Sequence, residues 1–504
     1  MQAYTKAERR GDFSKSTKIF RQIVEWLDDE SSDRLPHDEI ERQLRDRGRD
    51  LLRQLFQDRM DLRRQREPRL QLVEGSDGES RKRVEDSGRE LGTVFGGVTA
   101  ERLAYRKAGY ANLHPSDCVL NLPKNKYSHE LCRLGAIEVA RGSFDEAVQA
   151  VQRATGVLVG KRQMEQMAGE AAQDFDLFYQ RTASLTNASD VLALSCDGKG
   201  IVMLNEYLRE QTRKKAESSQ HKLKTRLSKG EKRNRKRMAT VGAVYDSEPV
   251  KRTVEDIISD PREREKRKAK RRPRTRNKWL VASVEKDTRE VVSEIFDEAE
   301  RRDPHHQRRW VVLVDGACHQ LECIQSEANR RGIELFIIVD FVHVFEYLWK
   351  AAWCFFDSGE LEAERWVYGH AASILEGNSS VVAGAIRRKA TCLGLRSAAR
   401  KGADDCADYL INKGPYLDYA LALRRGWPIS TGVIEGACRH LVKDRMDITG
   451  ARWSLGGAEA VLKLRAMIAN DDFDNYWRFH VEQELKRNHL ARFADGLCPL
   501  NGVK

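Results

Sequence analysis

From Ser16 to about Arg66 apolar residues recur at helical spacing, at Ile19, Ile23 and Trp26 and then at Leu51, Leu52, Leu55 and Met60, with charges between them. This predicts two long amphipathic helices. Gly75 to Gly97 is polar, charged and glycine-bearing, and reads as a linker and domain boundary. Ser143 then stands as the N-cap of a further helix, with Glu146 at the capping-box position and Phe144, Ala147, Val148 and Val151 down one face. That pattern breaks at Gly156. A second helix starting near Lys161, with Val159, Met164 and Met167 apolar, completes a helix-turn-helix outline or, more plainly, a helical hairpin.

Beyond residue 187 the texture changes. VLALSCDGKGIVM, RMATVGAVY, KWLVASV, RWVVLVDGA and ELFIIVDFVHVF are short β-rich runs, with a helical segment from about Arg289 to Arg302 before the fourth. They predict a mixed α/β sheet. Glu346 to about Arg425 returns to helix, and helices continue from Ile434 through Phe479. The expected order is a helical region 1–74, a linker segment 75–140, the helix-turn-helix 141–186, a sheet-bearing core 187–345, a helical insertion 346–425, and the end of the core with C-terminal helices 426–504.

Composition narrows the class. At 504 residues the chain exceeds the usual size of one domain, and 40% apolar with 33% charged residues suits solvated helices rather than a disordered or membrane chain. No apolar run reaches membrane-span length, and the first twenty residues lack a secretory pattern, so a cytoplasmic location is expected. The ten cysteines form no CxxC pair, and the tightest cluster, Cys318, His319 and Cys323, suggests packing rather than a zinc site.

Charge is local. Residues 209–237 carry +10 and residues 262–278 carry +9; against a net charge of +12 for the chain, the remainder is at −7. A polyanion bound at those runs is the economical explanation, with solvated loops as the bland one.

The candidate chemistry rests on carboxylates. Asp197 and Asp315 each follow an apolar strand and precede glycine, so both are expected at strand ends. Two such acids together repel unless a divalent cation neutralises them, and hard oxygen ligands suit magnesium or manganese. Phosphodiester chemistry commonly uses a third carboxylate from a packed helix. Glu435, near a helix start after Thr431, supplies it, with Arg439 and Lys443 at i+4 and i+8 forming a basic stripe on one face. Glu459 is the rival, although Lys463 at i+4 gives it an ion-pair role. Arg452 beside Trp453 suits a backbone phosphate and a stacked base, and Trp453 suits the core equally well.

The segments LSCDGKGIVM, RLSKGEKRNRKRMATVGAVYD, WVVLVDGACHQL, DFVHVFEYLWKAA and TGVIEGACRHLVKDRMDITGARWS, in this order, resemble an insertion-sequence DDE transposase of the ISKra family, distantly similar to Mutator-type transposases. The resemblance covers nearly the whole chain. It implies a ribonuclease-H-like core with a helical insertion behind an α-helical DNA-binding region. It also implies magnesium or manganese on Asp197, Asp315 and Glu435, and cleavage and strand transfer at the ends of a bacterial mobile element. Asp340 and His343 form a D-x-x-H step similar to a motif of the related superfamilies, with a supporting role near the metals. Double-stranded DNA, as transposon ends and target, is the expected partner. Its expected contacts are Lys161, Arg162, Lys232, Arg233, Arg235, Lys236, Arg237, Arg439, Lys443, Arg452 and Trp453. A homo-oligomer is expected, built through the helices before Arg66. Relatives often carry paired cysteines ahead of the helix-turn-helix; here only Cys118 stands there, so zinc is not expected. A junction-resolvase-like nuclease and a non-catalytic DNA-binding regulator are the alternatives.

Overall fold

The computed structural model describes residues 13–182, 190–219, 222–223, 225–228, 231–259, 273–448 and 450–500. Two compact units result: residues up to Phe178 together with the chain from Asp472 onward, and Tyr179–Asp471. The C-terminal helix Phe473–Asn488 therefore belongs with the N-terminal elements and not with the end of the core, as its sequence position had suggested.

In the first unit α1 (Ser14–Asp28) and α2 (His37–Gln65) realise the two amphipathic patterns. Ser16 and Ile23 of α1 are buried, and the Ser16 N–H donates to Asp58 Oδ2 of α2 at 3.1 Å. The segment expected as a linker is instead an antiparallel hairpin, β1 (Arg83–Thr93) with β2 (Gly96–Arg106), paired from Arg83 opposite Arg106 to Thr93 opposite Gly96. Gly96, at φ +123°, makes the tight turn that its missing Cβ permits. The Gln57 side-chain amide of α2 exchanges hydrogen bonds with Thr99 of β2, to its carbonyl at 3.0 Å and from its N–H at 2.8 Å, mimicking a further strand.

Three helices of twelve or more residues follow the short Pro115–Leu120 turn of helix. α3 (His129–Arg141) is capped by Ser128, α4 (Phe144–Thr155) has the expected Ser143–Glu146 capping box and ends at Gly156 in the left-handed region, and α5 (Lys161–Ala172) buries Met164 and Met167. Cys118 lies beside Cys498 in a small apolar cluster with Val73, Tyr105 and Phe493.

The second unit is built on a five-stranded mixed sheet. β3 (Val191–Val202), β4 (Lys236–Ser247) and β5 (Thr275–Ser283) form an antiparallel meander; α6 (Thr288–Arg302), capped by Asp287, leads to β6 (Trp310–Val314), and α7 (Cys318–Arg331) to β7 (Leu335–Val339). The sheet order is β5-β4-β3-β6-β7, with β6 and β7 parallel to β3. All five residues of β6 are buried, as expected for a parallel strand covered on both faces.

The helical block follows: α8 (Phe341–Ala352), α9 (Leu361–Leu375), α10 (Ser379–Cys392), α11 (Ser397–Asn412) and α12 (Tyr419–Arg425). Then come α13 (Gly432–Ala437), continued by a π-helical stretch Cys438–Lys443, and α14 (Leu455–Ala469). Among the described residues no helix is long and apolar enough to cross a membrane.

Candidate active site

The sheet register brings three aspartates into line. β3 pairs with β6 so that Leu192 faces Trp310 and Ser195 faces Leu313, an offset equal to the 118 positions between Asp197 and Asp315. β6 pairs with β7 with Trp310 facing Leu335 and Val314 facing Val339, the same 25 positions that separate Asp315 from Asp340. Asp197, Asp315 and Asp340 therefore occupy one level on three adjacent parallel strands, spaced about 4.8 Å apart per strand.

One expectation changes: Asp197 does not end its strand. β3 runs on to Val202, paired through Asp197 with Val241 of β4, while its pairing with β6 stops at Ser195, so the carboxylate stands where a third strand falls away. Asp315 does lie just past its strand, and its Oδ1 accepts the Ala317 N–H at 3.0 Å. Asp340 is buried and caps α8, accepting the Val342 N–H at 2.9 Å.

Glu435 enters from α13. Thr431 Oγ1 donates to Asp340 Oδ2 and also lies 3.3 Å from Glu435 Oε1, linking the two carboxyls. Although Glu435 is exposed, partial desolvation of its carboxyl, and after it the negative charges of Asp340 and Asp197, raise its pKa above the ordinary value. One turn on, the Cys438 thiol donates to Asp197 Oδ2 at 3.2 Å, so α13 and its π-helical continuation lie over β3.

The expected basic stripe at i+4 and i+8 does not form as an α-helical face, because Cys438–Lys443 is wound with i→i+5 hydrogen bonds. Arg439 and Lys443 are exposed all the same, Arg439 lying 3.6 Å from Asp444.

Glu459 has a different office. It is buried, and its Oε2 accepts from Ser283 Oγ, the Val284 N–H and the Glu285 N–H at 3.0, 2.9 and 3.2 Å. These bonds commit it to the end of β5.

Among the described residues no three His, Cys, Asp or Glu side chains are gathered into a coordination shell, the Cys318, His319 and Cys323 cluster included. The donor chemistry nevertheless fits a hard divalent cation. Asp197, Asp315 and Asp340 share one level at the strand ends and Glu435 is linked to Asp340 through Thr431; after desolvation, the charges of Asp340 and Asp197 raise Glu435, a repulsion that a cation would relieve.

The other expected residues divide by exposure. Lys161, Arg162, Lys232, Arg233, Lys236 and Arg452 are exposed and Arg235 is half-buried; Lys161 pairs with Asp145 at 2.6 Å and Lys236 with Asp447 at 3.3 Å. Arg237 is spent on main-chain carbonyls, of Val284 at 2.8 Å and Tyr207 at 3.3 Å, and so secures a loop. Trp453, only 5% exposed, is a core residue rather than a stacking platform: its indole N–H donates to the Met446 carbonyl and the Arg445 guanidinium covers its ring. His343 packs edge-on against Tyr347 and Tyr409. Residues 260–272, holding most of the second basic run, lie outside the described residues.

Sequence reasoning missed Thr431, Cys438, Tyr409 and Tyr419. The first two stand within four residues of Glu435 and were readable as its helical neighbours; nothing in the pattern marked the tyrosines. Set against models of known families the chain matches none, and it matches no curated protein.

Proposed function

We propose that this chain is a metal-dependent DNA transposase on a ribonuclease-H-like core, cutting phosphodiester bonds at the ends of a mobile element and joining the freed 3′ hydroxyl to target DNA. The observation that carries the reading is the register placing Asp197, Asp315 and Asp340 on one level with Glu435 linked to that row. An antiparallel three-strand meander followed by two parallel strands joined through helices supports the fold assignment.

Asp197, Asp315 and Glu435 would hold magnesium or manganese, which when bound activates the attacking oxygen and stabilises the leaving one. Asp340 and Thr431 orient Glu435 from behind. The exposed Arg439, Lys443 and Arg452 follow in the chain and suit phosphate contacts, and Lys161 and Arg162 head the second helix of the α4–α5 hairpin. A second copy of the chain suits the α1–α2 pair, where Phe20, Val24, Leu44 and Leu52 are exposed.

In purified reactions with magnesium, Asp197→Asn, Asp315→Asn and Glu435→Gln should each lower cleavage and joining by more than about 100-fold, since even the outer partners of metal ligands are worth 10–100-fold. Joining at wild-type rates in these variants refutes the assignment. Hydrolysed ends without donor–target products would instead identify a nuclease.

A further inference from the structure

We infer that the helical block positions the acid row through two tyrosines, Tyr409 of α11 and Tyr419 of α12, which pin the main chain where β6 and β7 end. The inference rests on the metal-dependent reading above and deepens it.

At the C-terminal end of a parallel strand the main-chain carbonyls run out of ladder partners, and a buried carbonyl without a donor is costly. Here two side-chain hydroxyls take up that place. Tyr409 Oη donates to the carbonyl of Asp315 itself at 3.0 Å, and Tyr419 Oη donates to the carbonyl of Val339 at 2.8 Å. The Val339–Asp340 peptide is thereby gripped on both sides, because its N–H donates to the Val314 carbonyl at 2.8 Å.

Each hydroxyl acts at the residue that bears a carboxylate or at the peptide bond leading to it, so a shift of the hydroxyl moves the acid. Both rings are themselves held. Tyr409 stacks on Tyr347 with centroids 4.1 Å apart and planes 13° apart, His343 meets both rings edge-on, and the Lys350 ammonium lies 4.2 Å from the Tyr347 centroid. Tyr419 is fully buried, edge-on to Phe341 at 5.3 Å.

The approach is close enough to dictate sequence. Gly316 has φ +91°, and a Cβ there would lie 3.0 Å from Tyr409 Oη and 3.4 Å from Val339 Cγ2. Burial raises the pKa of both phenols, with Asp315 and Asp340 adding to it at Tyr409 and Asp340 at Tyr419. His343, expected beside the metals, acts one step further out, as a wedge against the ring that carries the first hydroxyl.

Manganese binding to the full-length protein without DNA, followed by loss of the free Mn²⁺ electron paramagnetic resonance signal, tests this independently of turnover. Tyr409→Phe and Tyr419→Phe keep the rings and remove only the hydroxyls. Each should bind Mn²⁺ about tenfold more weakly, the usual scale for partners that orient metal ligands. Tyr368→Phe, which removes a hydroxyl from α9 of the same block, should bind as wild type.

Wild-type affinity in both Tyr409→Phe and Tyr419→Phe, with binding abolished in Asp315→Asn, overturns the clamp alone. Wild-type affinity in Asp315→Asn overturns the metal reading instead. Thermal unfolding accompanies each variant, and Tyr409→Phe, whose ring stack survives the change, decides the matter if the fully buried Tyr419→Phe does not fold.

Discussion

The two sides of the central sheet solve opposite problems at the same, C-terminal end of their strands. Where β5 stops, the chain has N–H donors to satisfy, and Glu459 is consumed in satisfying them. Where β6 and β7 stop, the need at Asp315 and Val339 is for donors to carbonyls, and tyrosine hydroxyls supply them. A carboxylate placed beside β5 becomes a cap. On the other side Asp197, Asp315 and Asp340 stand at one level with Glu435 linked to Asp340. The contrast explains why two glutamates, Glu435 and Glu459, both on helices of the same unit, have different fates.

The sharpest way to break the contrast is to remove each glutamate. Glu459→Ala strands three donors at a buried site and should cost about 3 kcal/mol or more in urea unfolding. Glu435→Ala, at an exposed position, should stay within about 1 kcal/mol while cleavage is lost. Equal stability losses would show that the two glutamates do the same job.

A smaller effect concerns the side where carbonyls need donors. Gly316→Ala combines left-handed backbone strain, about 1–2 kcal/mol, with the contact against Tyr409. Gly332→Ala, at φ +68° with open space around it, carries the strain alone. The difference between their unfolding free energies measures the tightness of the tyrosine approach, and no difference would argue against it.

The smallest effect extends the comparison to the two units. Among the described residues burial lowers the pKa of three histidines of the first unit, His114, His129 and His489, below the ordinary 6.5, against His370 alone in the second. The unfolded chain takes up protons near pH 6.5 that these folded histidines refuse. Stability of the first unit is therefore full above pH 6.5 and declines as pH falls beneath it. Hydrogen-exchange protection of β1, β2 and α3 should drop between pH 7 and 5.5 more than that of β3 and β6; equal losses would contradict this.

Much of the fold was legible in periodicity. The helices before Arg66, the Ser143 capping box, the Gly156 break and four of the core strands fall where the pattern puts them, whereas the fifth run, expected β-rich through Phe345, is strand only to Val339 and turns helical at Phe341. The β1–β2 hairpin was not, because β1 is mostly polar and the glycines around its turn imitate a linker.

At the site, the sequence marked Asp197, Asp315, Asp340 and Glu435 as strand-end and helix-start acids. It could not reveal that the three aspartates share one level or that Thr431 links Asp340 to Glu435. Parallel register is a long-range property, set by which apolar residues of β3, β6 and β7 interdigitate, and no local spacing encodes it. Arg237 and Trp453 misled for the converse reason: a residue type suited to DNA is equally suited to capping carbonyls or filling a core.

The same register has a consequence in time. Within the meander, Val202 meets Lys236 and Ser247 meets Thr275 after short excursions of chain, whereas Leu192 meets Trp310 only after 118 positions have been made and folded back. Long loops close late because their entropy is lost before their contacts form. During synthesis the meander is complete while Asp197 still stands alone, and Glu435 leaves the ribosome a further 120 residues after Asp315. The nascent chain is thus without its full set of acids until most of it has been made.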